Sequence, residues 1–230
     1  MEVRKEALNK PLFSFVLFTN LSMLYDVSKI IERVPSTPIK IRDFSNDEVY
    51  QKIKKCKEDE TPFDYEGDID YSFLKEYDLV KDGGFAIQFG KIVGSFDCSF
   101  AGLHTLIKGP EEVEGNFNCG FNYLTSLEGS PKEVGGSFNC TCNEIELLEG
   151  VPSKIGGDFD CSGNALTYLK GCPRYVKGNF ICNNNMLRTL KYFPKFVGKD
   201  FNCSYNEIKS LDGFHSKVLG KLITKHNPLN

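Results

Sequence analysis

The chain has 230 residues, of which 40% are hydrophobic, and 28 Lys and Arg stand against 31 Asp and Glu for a formal net charge of −3. No apolar run is long enough to span a membrane, and no cleavable apolar leader opens the chain. Composition therefore predicts a soluble cytoplasmic protein with no membrane partner.

Residues 1–60 show no repeat and predict a small α/β unit. Ser45 and Glu48 form a capping box, which predicts a helix that runs through about Lys57. This unit has two interpretations: a cap over the first edge of the structure that follows, or a separate recognition module. The other patterns predict a strand at 12–18, a helix at 21–33 and a short strand at 39–41.

Six cysteines recur at a strict spacing of 21 residues, and such a period is the signature of a stacked repeat protein. A Phe lies two positions before each Cys, and in all repeats but the first an Asn lies three positions after it. The pattern predicts a solenoid over 61–230, with a degenerate first repeat at 66–93, regular repeats from 94 and a truncated last repeat at 220–230. The cysteines are Cys98, Cys119, Cys140, Cys161, Cys182 and Cys203.

Each kept position of the repeat has a physical role. Phe and Cys alternate with polar residues, which predicts strands buried on one face and stacked into a parallel sheet of about eight strands. The Asn side chain can bond backbone groups where the chain turns after the strand, which predicts an asparagine ladder. The Leu positions fill the coil, and the Pro and Val positions return the chain to the next strand.

The segment F-x-C-x-x-N-x-L, as in Phe117 to Leu124, resembles the L-x-L-x-x-N-x-L core of leucine-rich repeats. The short unit and its L-x-G-x-P-x-x-V return resemble the repeats of bacterial and bacteriophage members of that family. The expected fold class is therefore α+β: a leucine-rich repeat solenoid with one parallel sheet, preceded by the small α/β unit. The resemblance implies binding, usually of another protein.

The cysteines and histidines give no sign of catalysis or metal binding. The six regular cysteines read as small inward-facing hydrophobic residues, and a reducing compartment is expected because neighbours in the stack lie within reach of one another. Cys140 and Cys142 form a C-x-C pair without a second pair at metal-ligand spacing. We expect no enzyme activity, no metal and no cofactor.

The sheet face supplies the first set of candidate partner-binding residues. Acidic and amide side chains flank the Phe and Cys positions, and this face suits a basic protein partner better than phosphates. Aromatic residues beside it are typical interface anchors, although the rings could equally cover the turn. The candidates are Asp97, Asp158, Asp160, Phe100, Phe121 and Tyr205.

The return loops supply the second set. Their charge changes from acidic near 111–114 to basic near 170–199, where aromatic residues lie among Lys and Arg. Such loops could clamp an acidic partner or stack bases, and the alternative is a solvated face. The candidates are Arg174, Tyr175, Lys191, Tyr192, Lys195 and Phe196.

The leading hypothesis is a non-enzymatic protein-binding scaffold. The family resemblance extends it to a phage-type factor that binds and modulates or inhibits a bacterial host protein. The alternative is a nucleic-acid-associated regulator that uses the basic aromatic loops near 170–199. The last repeat has no evident cap, so a homodimer through that end is a further expectation.

Overall fold

The structure is a computed structural model, and it describes residues 47–229. The strand at 12–18, the helix at 21–33, the strand at 39–41 and the capping residue Ser45 lie outside the described residues. Within residues 47–229, no helix is long and apolar enough to cross a membrane.

The described residues form two helices and a series of short strands. In chain order they are α1 (Glu48–Asp59), β1 (Phe63–Tyr65), α2 (Tyr71–Glu76), β2 (Val80–Lys81), β3 (Gly84–Phe85), β4 (Phe89–Ile92), β5 (Phe96–Asp97), β6 (Glu112–Val113), β7 (Phe117–Asn118), β8 (Glu133–Val134), β9 (Phe138–Asn139), β10 (Lys154–Ile155), β11 (Phe159–Asp160), β12 (Tyr175–Val176), β13 (Phe180–Ile181), β14 (Phe196–Val197), β15 (Phe201–Asn202), β16 (Lys217–Val218) and β17 (Leu222–Ile223).

Two parallel sheets run along the stack. The odd strands from β5 to β17 form a seven-stranded sheet, here called the Phe sheet, and an isolated bridge from Ile69 to Phe96 adds an eighth level. The predicted parallel-sheet solenoid is therefore confirmed. The return segments, which we expected to be loops, form a second sheet of eight strands, here called the return sheet, in the order β1-β4-β6-β8-β10-β12-β14-β16.

The core lies between the two sheets and is built from columns of identical residues. The six Phe and six Cys of the two strand columns, from Phe96 and Cys98 to Phe201 and Cys203, are each at most 1% exposed. Successive Phe rings contact each other at centroid distances from 5.0 Å between Phe180 and Phe201 to 6.0 Å between Phe96 and Phe117. Each repeat therefore buries its apolar face against its neighbours, as stacked repeats must do to be stable.

The first edge of the return sheet is covered by α1. Its N-cap is Asp47 rather than the predicted Ser45, because the Asp47 carboxylate accepts a hydrogen bond from the backbone N–H of Tyr50 at 3.0 Å. Ile53 of α1 is buried, and the Lys52 ammonium lies 5.4 Å from the centre of the Phe63 ring in β1. Helix α1 thus belongs to the same compact unit as the repeats.

The segment before the regular repeats pairs with the first strand of the Phe sheet at Ile69 and then leaves the sheet to form α2. The backbone N–H of Ile69 donates to Ser95 O at 2.9 Å, and that of Asp97 donates to Ile69 O at 2.7 Å. The next residue, Asp70, occupies the place of Asp97 in the repeat, but it is the N-cap of α2 and accepts from the backbone N–H of Phe73 at 2.9 Å. The chain returns to the stack at β4.

Candidate interaction surfaces

An asparagine ladder runs through the interior, as the sequence predicts. Asn143 accepts a hydrogen bond from the backbone N–H of Leu124 at 3.0 Å, and its amide donates to the carbonyl oxygens of Cys119 at 3.1 Å and Cys140 at 3.2 Å. The side chain therefore joins two successive turns. The same contacts recur at Asn122, Asn164, Asn185, Asn206 and Asn227.

A second ladder, here called the corner ladder, lies where the chain turns into the Phe sheet. The Ser137 hydroxyl accepts from the backbone N–H of Asp158 at 2.9 Å, and the Asp158 carboxylate accepts from that of Asn179 at 2.7 Å. Asp158 thus has a structural role that the sequence reading missed. The clue is that every residue of this column before the last position, Lys221, has a side-chain oxygen: Asp68, Ser95, Asn116, Ser137, Asp158, Asn179 and Asp200.

The acidic residues on the outer side of the Phe sheet also bond within the protein. Asp97 and Asp160 each accept a hydrogen bond at 2.9 Å from the backbone N–H two residues later, in Ser99 and Ser162. Burial is the main cause that raises the pKa of the Asp160 carboxyl, and the nearby Asp158 charge adds to the shift. These carboxylates stabilise the turn after each strand, which leaves fewer of their oxygens for a partner.

The aromatic residues beside the Phe sheet occupy a column of left-handed backbone. Phe100, Phe121 and Tyr205 have φ values of 57°, 56° and 54°, a conformation that is costly for bulky side chains. Phe100 and Phe121 stack at 4.5 Å, whereas Tyr205 lies four repeats away and stacks on His226 at 4.2 Å. The three candidates therefore belong to two separate aromatic pairs, Phe100 with Phe121 and Tyr205 with His226.

Two of the six residues of the second candidate set lie in strands of the return sheet, where the sequence predicts loops, and the other four lie in bends or turns outside its strands. Tyr175 and Phe196 are strand residues that pair in register, flanked by Lys154 on β10 and Lys217 on β16. Because the residue that follows each of them in its strand points into the core, these four point outward. We call Lys154, Tyr175, Phe196 and Lys217 the basic aromatic row.

More positive charge surrounds this row. Arg174 and Lys195 precede the two aromatic residues, and Lys177 follows in the next turn. All three are exposed, and Tyr175 is 45% exposed. Among residues 47–229, no carboxylate oxygen lies within 4.0 Å of the charged atoms of Lys154, Arg174, Lys177, Lys195 or Lys217.

Lys191 and Tyr192 lie apart from the row, at the corner before Pro194. Tyr192 is 62% exposed and has a φ of 66°, and its carbonyl oxygen accepts from the Cys172 thiol at 2.9 Å. The structure therefore brings four members of the second set together, namely Arg174, Tyr175, Lys195 and Phe196, and places the other two on a separate corner.

The cysteine column is packed and unreactive in character. All nine cysteines are free thiols. Burial raises the pKa of the six regular thiols, to about 12 for Cys203, so they stay neutral at physiological pH. Within the part of the chain that the structure describes, no three His, Cys, Asp or Glu side chains are grouped as metal ligands.

Comparisons with models of known protein families, with curated proteins and with solved structures gave no match.

Proposed function

We propose that the protein is a non-enzymatic scaffold that binds a protein partner through the outer face of the return sheet. The observation that carries the proposal is the basic aromatic row with Arg174 and Lys195 beside it. Tyr175 and these four cations are exposed, and no carboxylate oxygen of residues 47–229 lies within 4.0 Å of the charged atoms of the cations. Arg and aromatic residues are enriched at protein interfaces and at their energetic centres. The aromatic side chains of Tyr175 and Phe196 supply an apolar anchor, and the cations around them supply a charged rim.

A protein partner suits this surface better than a nucleic acid. From Lys154 to Lys217 the row spans three strand spacings, or about 14 Å. The neighbouring strand of the same sheet carries Glu133, which would repel a phosphate backbone that continued along the face. The formal net charge of −3 adds no general attraction for polyanions.

The Phe sheet face is the weaker candidate. The carboxylates of Asp97, Asp158 and Asp160 accept hydrogen bonds from the protein's own backbone. A partner that used these oxygens would compete with bonds that hold the turns and the corner. The exposed rings of Phe100 and Tyr205 remain available as secondary contacts on that side.

The family proposal rests on the repeat itself. The F-x-C-x-x-N-x-L segment and the asparagine ladder support a leucine-rich repeat of the short bacterial and bacteriophage type, here with a second sheet in the return. This resemblance motivates a bacterial host protein as the partner. The free, closely stacked thiols support a reducing compartment.

The test is capture of partners from bacterial lysate by the intact protein, with and without nuclease, followed by mass spectrometry. We expect one stoichiometric, nuclease-resistant protein that is lost with Tyr175→Ser and with the Arg174→Ser, Lys195→Ser double variant. Tyr168→Ser is the matched control, because Tyr168 is 43% exposed but lies in a loop outside the row. A partner that is retained by both row variants, or that disappears with nuclease, would overturn the proposal.

A further inference from the structure

We infer that the partner presents an apolar patch flanked by carboxylates about 14 Å apart, with a cationic group beyond one end. This inference rests on the proposed function and names the chemistry of the partner of the same face. It follows from the order of outward residues along the return sheet, and not from the composition of the face as a whole.

The outward residues of successive strands form one continuous line. From β6 onward they read Glu112, Glu133, Lys154, Tyr175, Phe196 and Lys217, and Lys91 of β4 pairs with Glu112 before them. Neighbours pair in parallel register, except that between β8 and β10 the paired residues are Val134 and Ile155, directly after Glu133 and Lys154. Strands in a sheet lie about 4.8 Å apart, so this line spans about 24 Å. A rigid line of this length presents its charges at fixed intervals.

A partner that binds the C-terminal half of the line needs both apolar and acidic groups. Lys154 and Lys217 bracket the two rings, and Arg174 and Lys195 lie next to them. A partner that buried Tyr175 and Phe196 against apolar atoms would bring its rim close to these cations, and burying a cation without an anion is costly. Carboxylates around an apolar patch satisfy both demands, and such a patch is a protein surface.

The N-terminal half of the line carries negative charge, at Glu112 and Glu133, whereas the C-terminal half carries positive charge. Lys91 forms salt bridges with Glu112 at 3.8 Å and with Glu114 at 2.8 Å, so these two acids already have a counter-ion. Among the described residues, no cationic nitrogen lies within 4.0 Å of the Glu133 carboxylate. A cation of the partner opposite Glu133 would fix a single direction of binding along the line, since like charges would meet in the reverse direction.

The probes for the apolar and acidic part are a random copolymer of glutamate and tyrosine, poly-glutamate of matched length and an oligothymidylate, each measured by fluorescence anisotropy at low and high salt. We expect the copolymer to bind about tenfold more tightly than poly-glutamate, since burying one ring exceeds the free energy of one decade. Tyr175→Ser should remove most of this difference. The double variant Arg174→Ser, Lys195→Ser should weaken both acidic polymers. Tyr168→Ser and Lys209→Ser, outside the row, should change neither.

The direction of binding is tested with Glu133→Lys. The added cation should strengthen binding of the copolymer, which has no basic residues, while weakening binding of the captured natural partner. Thermal unfolding of each variant shows that the fold is retained. Because Phe196 is half-buried, Tyr175→Ser is the informative aromatic change.

Several outcomes would overturn the inference. Equal binding of copolymer and poly-glutamate would show that the partner needs no apolar patch. If oligothymidylate bound more tightly than both polymers, and this binding depended on Tyr175, the ligand would be a nucleic acid. If sedimentation equilibrium showed a dimer that Tyr175→Ser converts to a monomer, the partner at this face would be a second copy of the chain. If a captured protein depends on Tyr175 but the copolymer shows no preference, the proposed function stands and the inferred chemistry fails.

Discussion

The carboxylate of Asp158 accepts a hydrogen bond from the backbone N–H of Asn179, the equivalent position of the next repeat, at 2.7 Å. Each residue of the corner ladder does the same for its successor, so the turn into the Phe sheet is held by a chain of side-chain acceptors. These contacts join turn to turn, and in a solenoid the interfaces between neighbouring repeats carry much of the stability.

Asp158→Ala should therefore destabilise the protein by about 1–3 kcal/mol, since a charge-assisted hydrogen bond is lost and a partly buried N–H loses its partner. Asp158→Asn keeps an acceptor oxygen, and Asn116 and Asn179 show that the column accommodates the amide. The free energy of unfolding in urea measures the difference. Equal losses for Ala and Asn would mean that a neutral acceptor oxygen at position 158 contributes nothing to stability.

Asn164→Ala should cost about 1–3 kcal/mol, because the Asn164 amide donates to Cys140 O at 3.0 Å and Cys161 O at 3.1 Å and its oxygen accepts from Ile145 at 3.1 Å. Asn183→Ser is the control, since Asn183 lies outside the asparagine ladder in a column that holds Ser162 and Ser204. Urea unfolding of both variants is the measurement. A smaller loss for Asn164→Ala than for Asn183→Ser would count against the ladder as a source of stability.

How much the sequence could predict depends on what each position demands. The Phe, Cys and Asn columns can be predicted from the sequence because each position holds the same residue type in nearly every repeat. The structural role of Asp158 is not evident from the sequence, because its column shares only an acceptor oxygen, which Ser, Asn and Asp all provide. The strand of Tyr175 was missed because two residues are too few for an alternating pattern, and its hydrogen bonds come from neighbouring repeats. The N-cap at Asp47 was missed because Ser45 also fits the capping pattern.

The candidate surfaces were predicted only in part for a related reason. Exposure of Tyr175 and its neighbours could be read from the repeat, but their alignment in one row depends on the register of the return sheet. Conversely, Lys191 and Tyr192 are close to that row in sequence and lie on another corner. Proximity in the chain therefore could not define the surface until the second sheet was known.

Cys161→Asp should abolish folding or reduce the free energy of unfolding by several kcal/mol, because Cys161 is 0% exposed and a charge there has no counter-ion. Cys161→Ala removes one buried atom and should cost about 1 kcal/mol. Circular dichroism during thermal unfolding distinguishes the two. Unchanged unfolding of Cys161→Asp would contradict the inward orientation of the column.

The stability of the protein should fall at alkaline pH because of this same column. In the unfolded chain thiols ionise at about pH 8.5, whereas burial raises the folded pKa, to about 12 for Cys203. Above about pH 8.5 the unfolded state therefore holds fewer protons than the folded state, so ionisation favours unfolding. Stability is complete below that pH and declines as pH rises toward the folded pKa values.

Each buried thiol should contribute a slope of about 1.4 kcal/mol per pH unit once the pH exceeds its unfolded pKa. Urea unfolding between pH 7.5 and 10 measures the total slope (a range of about 2.5 units), and Cys161→Ala should make it shallower by one thiol's share. Cys161→Ala changes no other titratable residue, so the difference in slope between the two proteins reports the Cys161 thiol. If the variant and the parent lose stability at the same rate, the Cys161 thiol is not kept protonated by the fold, and the alkaline sensitivity must come from other groups.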